Sequence, residues 1–214
     1  MLRLPKPITY LVTSGKTTSA TTSSTHDFQK LLELIKSAIT AKIDLVQLRE
    51  KALTTRVLQD LATRAAQLTR GTATKLLIND RPDVAVAAGA DGVHLTSHSL
   101  PASVVRRDFG QEFVIGVSTH SLAEARAAKA DADFAVFGPV FLTPSKADYG
   151  SPAGLEQLAS VCSDLQPFPV LAIGGVDEDN FAECLSAGAH GVAAIRMFSD
   201  PNRIIAIASK VRNA

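Results

Sequence analysis

The chain has no tryptophan, only two cysteines and two tyrosines, and an aromatic share of 5% across 214 residues. Two cysteines exclude a disulfide-stapled scaffold. Cys162 and Cys184 fall in helix-like segments without metal-ligand spacing, so they read as reduced, buried thiols. A dominant charge is also missing: 22 basic against 21 acidic residues leave +1. Nothing long-ranged therefore draws the chain to nucleic acid or anionic lipid, and the expected partner is a small molecule. No apolar stretch approaches the roughly 20 residues that cross a bilayer. The opening, Met1 to Pro7, lacks the apolar run and small-residue cleavage site of a secretory signal, which points to the cytoplasm.

What the sequence does contain is regular. Short apolar, β-branched runs recur at 8–12, 45–48, 76–78, 92–95, 114–117, 134–140, 170–173 and 192–195, with helix-periodic segments between them. Phe28, Leu31, Leu32, Leu34 and Ile35 form one such helical face, and Val57, Leu58, Leu61 and Ala65 another. Strands apolar on both sides and alternating strictly with helices predict a parallel sheet covered by helices. Eight such units without a composition break predict one (β/α)8 TIM barrel, a single domain over 1–214. In that architecture functional groups gather where the strands exit at their C-terminal ends.

The first exit, 13–25, is rich in Ser and Thr and reads as a mobile loop. Its Gly15-Lys16-Thr17 is not a nucleotide loop, because Tyr10 stands where the earlier glycine is required. At the second exit Gln47, Arg49 and Lys51 alternate, which sets three long polar groups on one side of an extended chain, facing the barrel mouth. An anionic ligand would compensate them; a solvated strand end or an internal Arg–Glu pair is the plainer reading. At the third exit Asn79 and Asp80 precede Pro82. Asp80 is either a Mg2+ ligand or a helix cap. His94 and His98 at the fourth exit lack a third ligand and read as a polar loop.

The fifth exit offers Ser118 and His120, the latter suited to proton transfer near neutral pH. The sixth opens a loop with Thr143, Ser145 and Lys146, two hydroxyls and a cation able to converge on a phosphate. Gly174-Gly175 at the seventh lets backbone N–H groups approach an anion, and Ile195 at the eighth stands ready to complete the same pocket. A phosphate site between the last two strands is recurrent in such barrels.

Taken together, Gln47-Leu48-Arg49-Glu50-Lys51, Asn79-Asp80, Gly89-Ala90-Asp91-Gly92-Val93-His94-Leu95, Gly116-Val117-Ser118-Thr119-His120, Gly138-Pro139-Val140-Phe141 with Thr143 and Lys146, and Ala172-Ile173-Gly174-Gly175 resemble the thiamine phosphate synthases and the related thiazole tautomerases. The resemblance runs from Ile8 to Phe198. It implies condensation of hydroxymethylpyrimidine pyrophosphate with thiazole phosphate, aided by Mg2+ on Asp80 and by Arg49, Lys51 and Lys146. It further implies that Gln47, Asn79 and Ser118 hold the pyrimidine, while Thr143, Ser145, Gly175 and Ile195 hold the thiazole phosphate. It also suggests a homodimer.

Three positions depart from the synthase pattern. The His-x-Gly-Gln-x-Asp of the synthases is His94-Leu95-Thr96-Ser97-His98-Ser99 here, so Ser99 replaces the second metal carboxylate. Arg196 replaces a usual Ser, and Ser14 an Asp often seen after the first strand. These changes resemble the tautomerase branch, in which His120 would be the acid/base group without any metal. Gln47, Lys51 and Asp80 favour the synthase. A non-catalytic binder of thiazole phosphate is the third reading.

Overall fold

A computed structural model of the chain describes residues 5–143 and 151–214. Eight strands, β1 (Ile8–Val12), β2 (Leu45–Leu48), β3 (Lys75–Asn79), β4 (Gly92–Leu95), β5 (Val114–Thr119), β6 (Phe134–Phe137), β7 (Val170–Ala172) and β8 (Gly191–Ala194), alternate with eight helices. The helices are α1 (His26–Thr40), α2 (Thr55–Thr69), α3 (Pro82–Ala88), α4 (Ala102–Phe109), α5 (Leu122–Ala128), α6 (Gly154–Leu165), α7 (Phe181–Ser186) and α8 (Ile204–Arg212). Each strand pairs in parallel with the next, and β1 pairs with β8 through Ile8↔Gly191 to Leu11↔Ala194, closing the expected (β/α)8 barrel.

Strand alternation divides the apolar side chains into two cores. Ile8, Tyr10, Val12, Leu45, Leu77, Val114, Phe134, Val136, Leu171 and Ala193 fill the barrel interior. Their neighbours, such as Leu11, Val46, Leu76, Ile78 and Ile115, face outward and meet the helices, among them Phe28, Leu31, Leu32 and Ile35 of α1. β6 is shorter than the sequence predicts, ending at Phe137 rather than at 140. Pro139 has no N–H to give to a ladder, and the chain instead reaches across to the β7 exit through Val140 N–H to the Ile173 carbonyl at 2.8 Å and Phe141 N–H to the Gly174 carbonyl at 2.9 Å.

The N-terminal rim is sealed by a repeated device. A side chain just before each even strand accepts the N–H near the start of the preceding odd strand. Asp44 takes Thr9 N–H at 2.8 Å, Asp91 takes Leu76 N–H at 2.9 Å, Asp133 takes Ile115 N–H at 2.9 Å, and His190 Nδ1 takes Val170 N–H at 3.5 Å. Asp133 also pairs with Arg106 at 2.7 Å, with the two side chains only 11% and 10% exposed. The Arg106 guanidinium further donates to the carbonyls of Gly110, Gln111 and Phe113 in the α4–β5 connection and of Asp131 in the α5–β6 connection.

Inside the barrel Tyr10, His94 and Phe134 pack ring against ring, the Tyr10–Phe134 pair edge-on with centroids 5.6 Å apart. Gly116 makes this possible, because a Cβ there would run into Phe134 and lie 2.8 Å from His94 Nδ1. Burial, reinforced by the positive charge of Arg49, pushes the His94 pKa down to about 3.

Two stability predictions result. Arg106→Ala leaves the Asp133 carboxylate buried without its partner and should cost about 3 kcal/mol in urea unfolding. Removal of the exposed Arg126–Asp164 pair should leave the midpoint unchanged. Because the folded state resists protonating His94, stability should fall as pH drops from about 6.5 toward 3, where the unfolded chain takes up that proton. His94→Asn should remove about one proton, or about 1.4 kcal/mol per pH unit, from the slope of that acid limb.

Candidate active site

The inward positions change character toward the C-terminal ends of the strands, from apolar to polar. Gln47 on β2, Tyr10 on β1, His94 on β4 and Ser118 on β5 form a continuous hydrogen-bonded chain across the interior. Gln47 Nε2 donates to the Tyr10 hydroxyl at 2.9 Å, that hydroxyl lies 3.1 Å from His94 Nδ1, and His94 Nε2 lies 2.9 Å from Ser118 Oγ. Tyr10, Gln47 and His94 are 0%, 2% and 4% exposed, so these groups satisfy one another rather than water. Burial raises the Tyr10 pKa well above the usual phenol value, and the Gln47 hydrogen bond opposes this. Both rings are therefore neutral at physiological pH. His94 thus belongs to the barrel interior, not to the loop anticipated at the fourth exit.

Asn79 stands beside this chain, in register with His94 across β3 and β4. Among the described residues its buried Oδ1 has no hydrogen-bond partner, an acceptor that a ligand N–H can meet.

At the second exit Gln47 faces the interior, and Arg49 follows the last ladder residue, Leu48, half-buried. Lys51 is exposed beyond the last ladder residue, where strand alternation no longer sets its direction. Glu50, on the other side, is 3% exposed and grips the first loop: it accepts from Gly15 N–H at 3.0 Å, Thr17 N–H at 3.3 Å and Thr17 Oγ1 at 2.7 Å. Thr13 Oγ1 accepts from Arg49 N–H at 2.8 Å, and further turns bond Thr21 to Thr18 and Thr25 to Thr22. The 13–25 segment expected to be mobile is thus tied to the β2 exit, and no Arg49–Glu50 pair forms.

Asp80 is exposed and adopts a left-handed φ of 59°, unusual for a residue with a side chain, while its N–H donates to the His94 carbonyl at 2.9 Å. It does not cap α3: the N-cap position is Arg81, which forks onto Asp83. Ser99 closes a tight turn, its Oγ accepting from Thr96 N–H at 2.7 Å. Among the described residues no cluster of three or more His, Cys, Asp or Glu side chains could hold a metal.

On the opposite side of the mouth, Gly174 and Gly175 have φ of 93° and 68°. A Cβ at Gly174 would lie 2.5 Å from Pro139 Cα, and one at Gly175 would lie 2.6 Å from the Leu142 carbonyl. Both positions therefore require glycine on two counts. Asn180 Nδ2 donates to the Gly175 carbonyl at 2.9 Å and fixes the turn. Ile195 and Thr143 are half-buried, whereas Ser145 and Lys146 lie outside the described residues. Arg196 is exposed, and its carbonyl closes a turn with Ser199. His120 is exposed at the β5 exit; its Nδ1 donates to the Gly138 carbonyl, which leaves Nε2 able to accept a proton.

Sequence reasoning missed three residues that organise this end: Tyr10, Glu50 and Asn180. Tyr10 carried a usable signal, a hydroxyl at the inward position between Ile8 and Val12. A groove of about 800 Å3 also opens on the opposite, N-terminal face, lined among others by Asp44, Lys75, Asp91, Asp133 and Arg212. The carboxylates of Asp44, Asp91 and Asp133 there are occupied by strand N–H groups and ion pairs.

The thiamine monophosphate synthase family matches residues 18–198. A relative from Geobacter sulfurreducens is 48% identical over 174 residues, covering 80% of this chain and 81% of the relative. The thiamine-phosphate synthase of Moorella thermoacetica is 40% identical over 182 residues, 85% of this chain and 86% of that one. Among solved structures, the thiamine phosphate pyrophosphorylase from Pyrococcus furiosus superposes with a TM-score of 0.79 at 28% identity, over 96% of this chain and 94% of that chain. With the barrel mouth built as described and similarity running through most of its length, the chain belongs to the thiamine monophosphate synthase family.

Proposed function

We propose that this protein is a thiamine-phosphate synthase, joining hydroxymethylpyrimidine pyrophosphate to thiazole phosphate and releasing pyrophosphate. The observation that carries the reading is the polar interior layer of Gln47, Asn79 and Ser118, with Arg49 just past the end of β2 and its charge felt by His94. An aminopyrimidine ring has both N–H donors and ring-nitrogen acceptors, and the orphaned Asn79 Oδ1 suits the former. In the reaction the bond from the pyrimidine methylene carbon to the pyrophosphate oxygen breaks with its electron pair leaving on oxygen. The thiazole nitrogen then supplies the pair that forms the new C–N bond.

Negative charge therefore grows on the departing pyrophosphate, and Arg49, Lys51 and Lys146 are assigned to receive it. Mg2+ would neutralise further charge on the pyrophosphate when bound. Asp80 fits that ion as a single carboxylate, since Mg2+ commonly takes one or two carboxylates plus substrate phosphates and retains waters elsewhere. Gly174, Gly175, Thr143, Ser145 and the backbone at Ile195 are assigned to the thiazole phosphate. A cytoplasmic location and a homodimer complete the proposal; no helix among the described residues is long and apolar enough to cross a membrane.

One observation favours a second reading, thiazole tautomerase: His120 presents Nε2 as a base while Gly138 holds Nδ1. Metal-free isomerisation of the thiazole carboxylate phosphate that disappears in His120→Asn would support it.

Purified protein supplied with both phosphorylated substrates and Mg2+ should form thiamine phosphate; no product above background contradicts the assignment. Arg49→Ala should lower kcat by about 100-fold or more, as loss of a donor to a developing anion does. Gly175→Ala should raise KM for the thiazole phosphate while sparing that for the pyrimidine substrate. Ser99→Asp should lower the Mg2+ concentration needed for half-maximal rate, and an unchanged Mg2+ requirement would show that position 99 does not face the metal.

A further inference from the structure

Tyr10 and His94 are buried, and nothing in the proposed reaction uses them directly. Their hydrogen bonds nevertheless have a sense. The Tyr10 hydroxyl carries one proton and two lone pairs. Gln47 Nε2 bears only hydrogens, so at 2.9 Å it occupies a lone pair. The phenol keeps its proton in this buried setting, and among the described residues its remaining polar neighbour is His94 Nδ1 at 3.1 Å. That nitrogen must then be bare. A neutral imidazole carries its single proton on the other nitrogen, so Nε2–H donates to Ser118 Oγ at 2.9 Å. Ser118 already accepts from His94, and its own proton is directed away from the histidine. Ser118 is half-buried near the end of β5, at the mouth.

We propose that Tyr10 and His94 are positioning residues that form a one-way hydrogen-bond relay, started by the Gln47 amide, which presents Ser118 to the substrate as a donor. Ser118 therefore has its proton free for a hydrogen-bond acceptor, an unprotonated ring nitrogen or a phosphate oxygen. This rests on the reading of the strand exits as the substrate site. Asn79 Oδ1, in register with His94, presents the opposite polarity. The two groups together distinguish an aminopyrimidine, which offers both an N–H and a bare ring nitrogen, from a ring with only one of them.

The relay reverses only if the Gln47 amide turns its oxygen to Tyr10. His94 would then carry its proton on Nδ1 and Ser118 would donate inward, leaving the substrate only a lone pair. Nitrogen NMR of the full chain labelled with 15N-histidine, without substrate and at neutral pH, separates the two states. The expected result is a neutral His94 protonated at Nε2 with an accepting Nδ1; protonation at Nδ1 overturns the proposal. Tyr10→Phe removes the donor that fixes the tautomer, so its His94 signals should move toward the Nδ1-protonated form.

The second arm reads the substrate. Ser118→Ala should raise KM for the pyrimidine substrate about tenfold or more with KM for the thiazole phosphate unchanged, and Ser118→Thr, which restores a hydroxyl, should recover most of it. Wild-type KM in Ser118→Ala overturns the donor role. Should the protein lack synthase turnover, calorimetry with hydroxymethylpyrimidine and with inorganic pyrophosphate replaces KM. Loss of affinity in Ser118→Ala for either probe identifies the acceptor as ring nitrogen or phosphate oxygen respectively, and no loss for both overturns the proposal.

Discussion

Closure of the barrel imposes the constraint from which the other features derive. Once β1 pairs with both β2 and β8, every strand must send alternate side chains into a space that admits no water. Apolar residues meet that demand in the lower interior with Ile8, Leu45, Val114, Leu171 and Ala193. Toward the mouth, Tyr10, Gln47, His94 and Ser118 meet it only because each supplies the partner that another lacks. A buried amide, phenol or imidazole without its partner would be destabilising by about 1–3 kcal/mol. The same burial explains why a catalytic-looking histidine is neutral, and the close approach of Phe134 and His94 explains why position 116 is glycine.

The two rims resolve their polar groups differently. At the N-terminal rim Asp44, Asp91, Asp133 and His190 are consumed in accepting strand N–H groups, and Lys75 and Arg106 balance two of the carboxylates. That face is a seal. At the C-terminal rim Asn79 keeps an oxygen unpartnered among the described residues, Asp80 holds a left-handed backbone with an exposed carboxylate, and Gly174-Gly175 hold positive φ with no side chain of their own. Incomplete satisfaction and local strain mark a place where a ligand supplies the missing interactions. The groove on the N-terminal rim has volume and a left-handed residue of its own, Lys42 with φ of 54°, but its Asp44, Asp91 and Asp133 carboxylates are already partnered.

The barrel was legible in the sequence because its signal is local: apolar runs of strand length alternating with helical periodicity. Gln47 was legible for the same reason, since a polar residue inside one apolar strand is visible in a few residues. Tyr10 was not, because its meaning lies in His94, 84 residues away. Glu50 likewise reads as a charged strand end until its carboxylate is seen holding Gly15 and Thr17. The strand at 134–140 was overextended because apolar character continues past Phe137, whereas the ladder stops at the proline. Asp80 left two readings open, and the backbone decided against capping by putting Arg81 at the helix start.

The most direct test of the account is a crystal structure of the protein soaked with thiamine phosphate and pyrophosphate. The account predicts the pyrimidine against Gln47, Asn79 and Ser118, the thiamine phosphate group at Gly174-Gly175, and pyrophosphate beside Arg49. Ligand bound instead in the N-terminal groove near Asp44 and Arg212, with the strand exits empty, would contradict it.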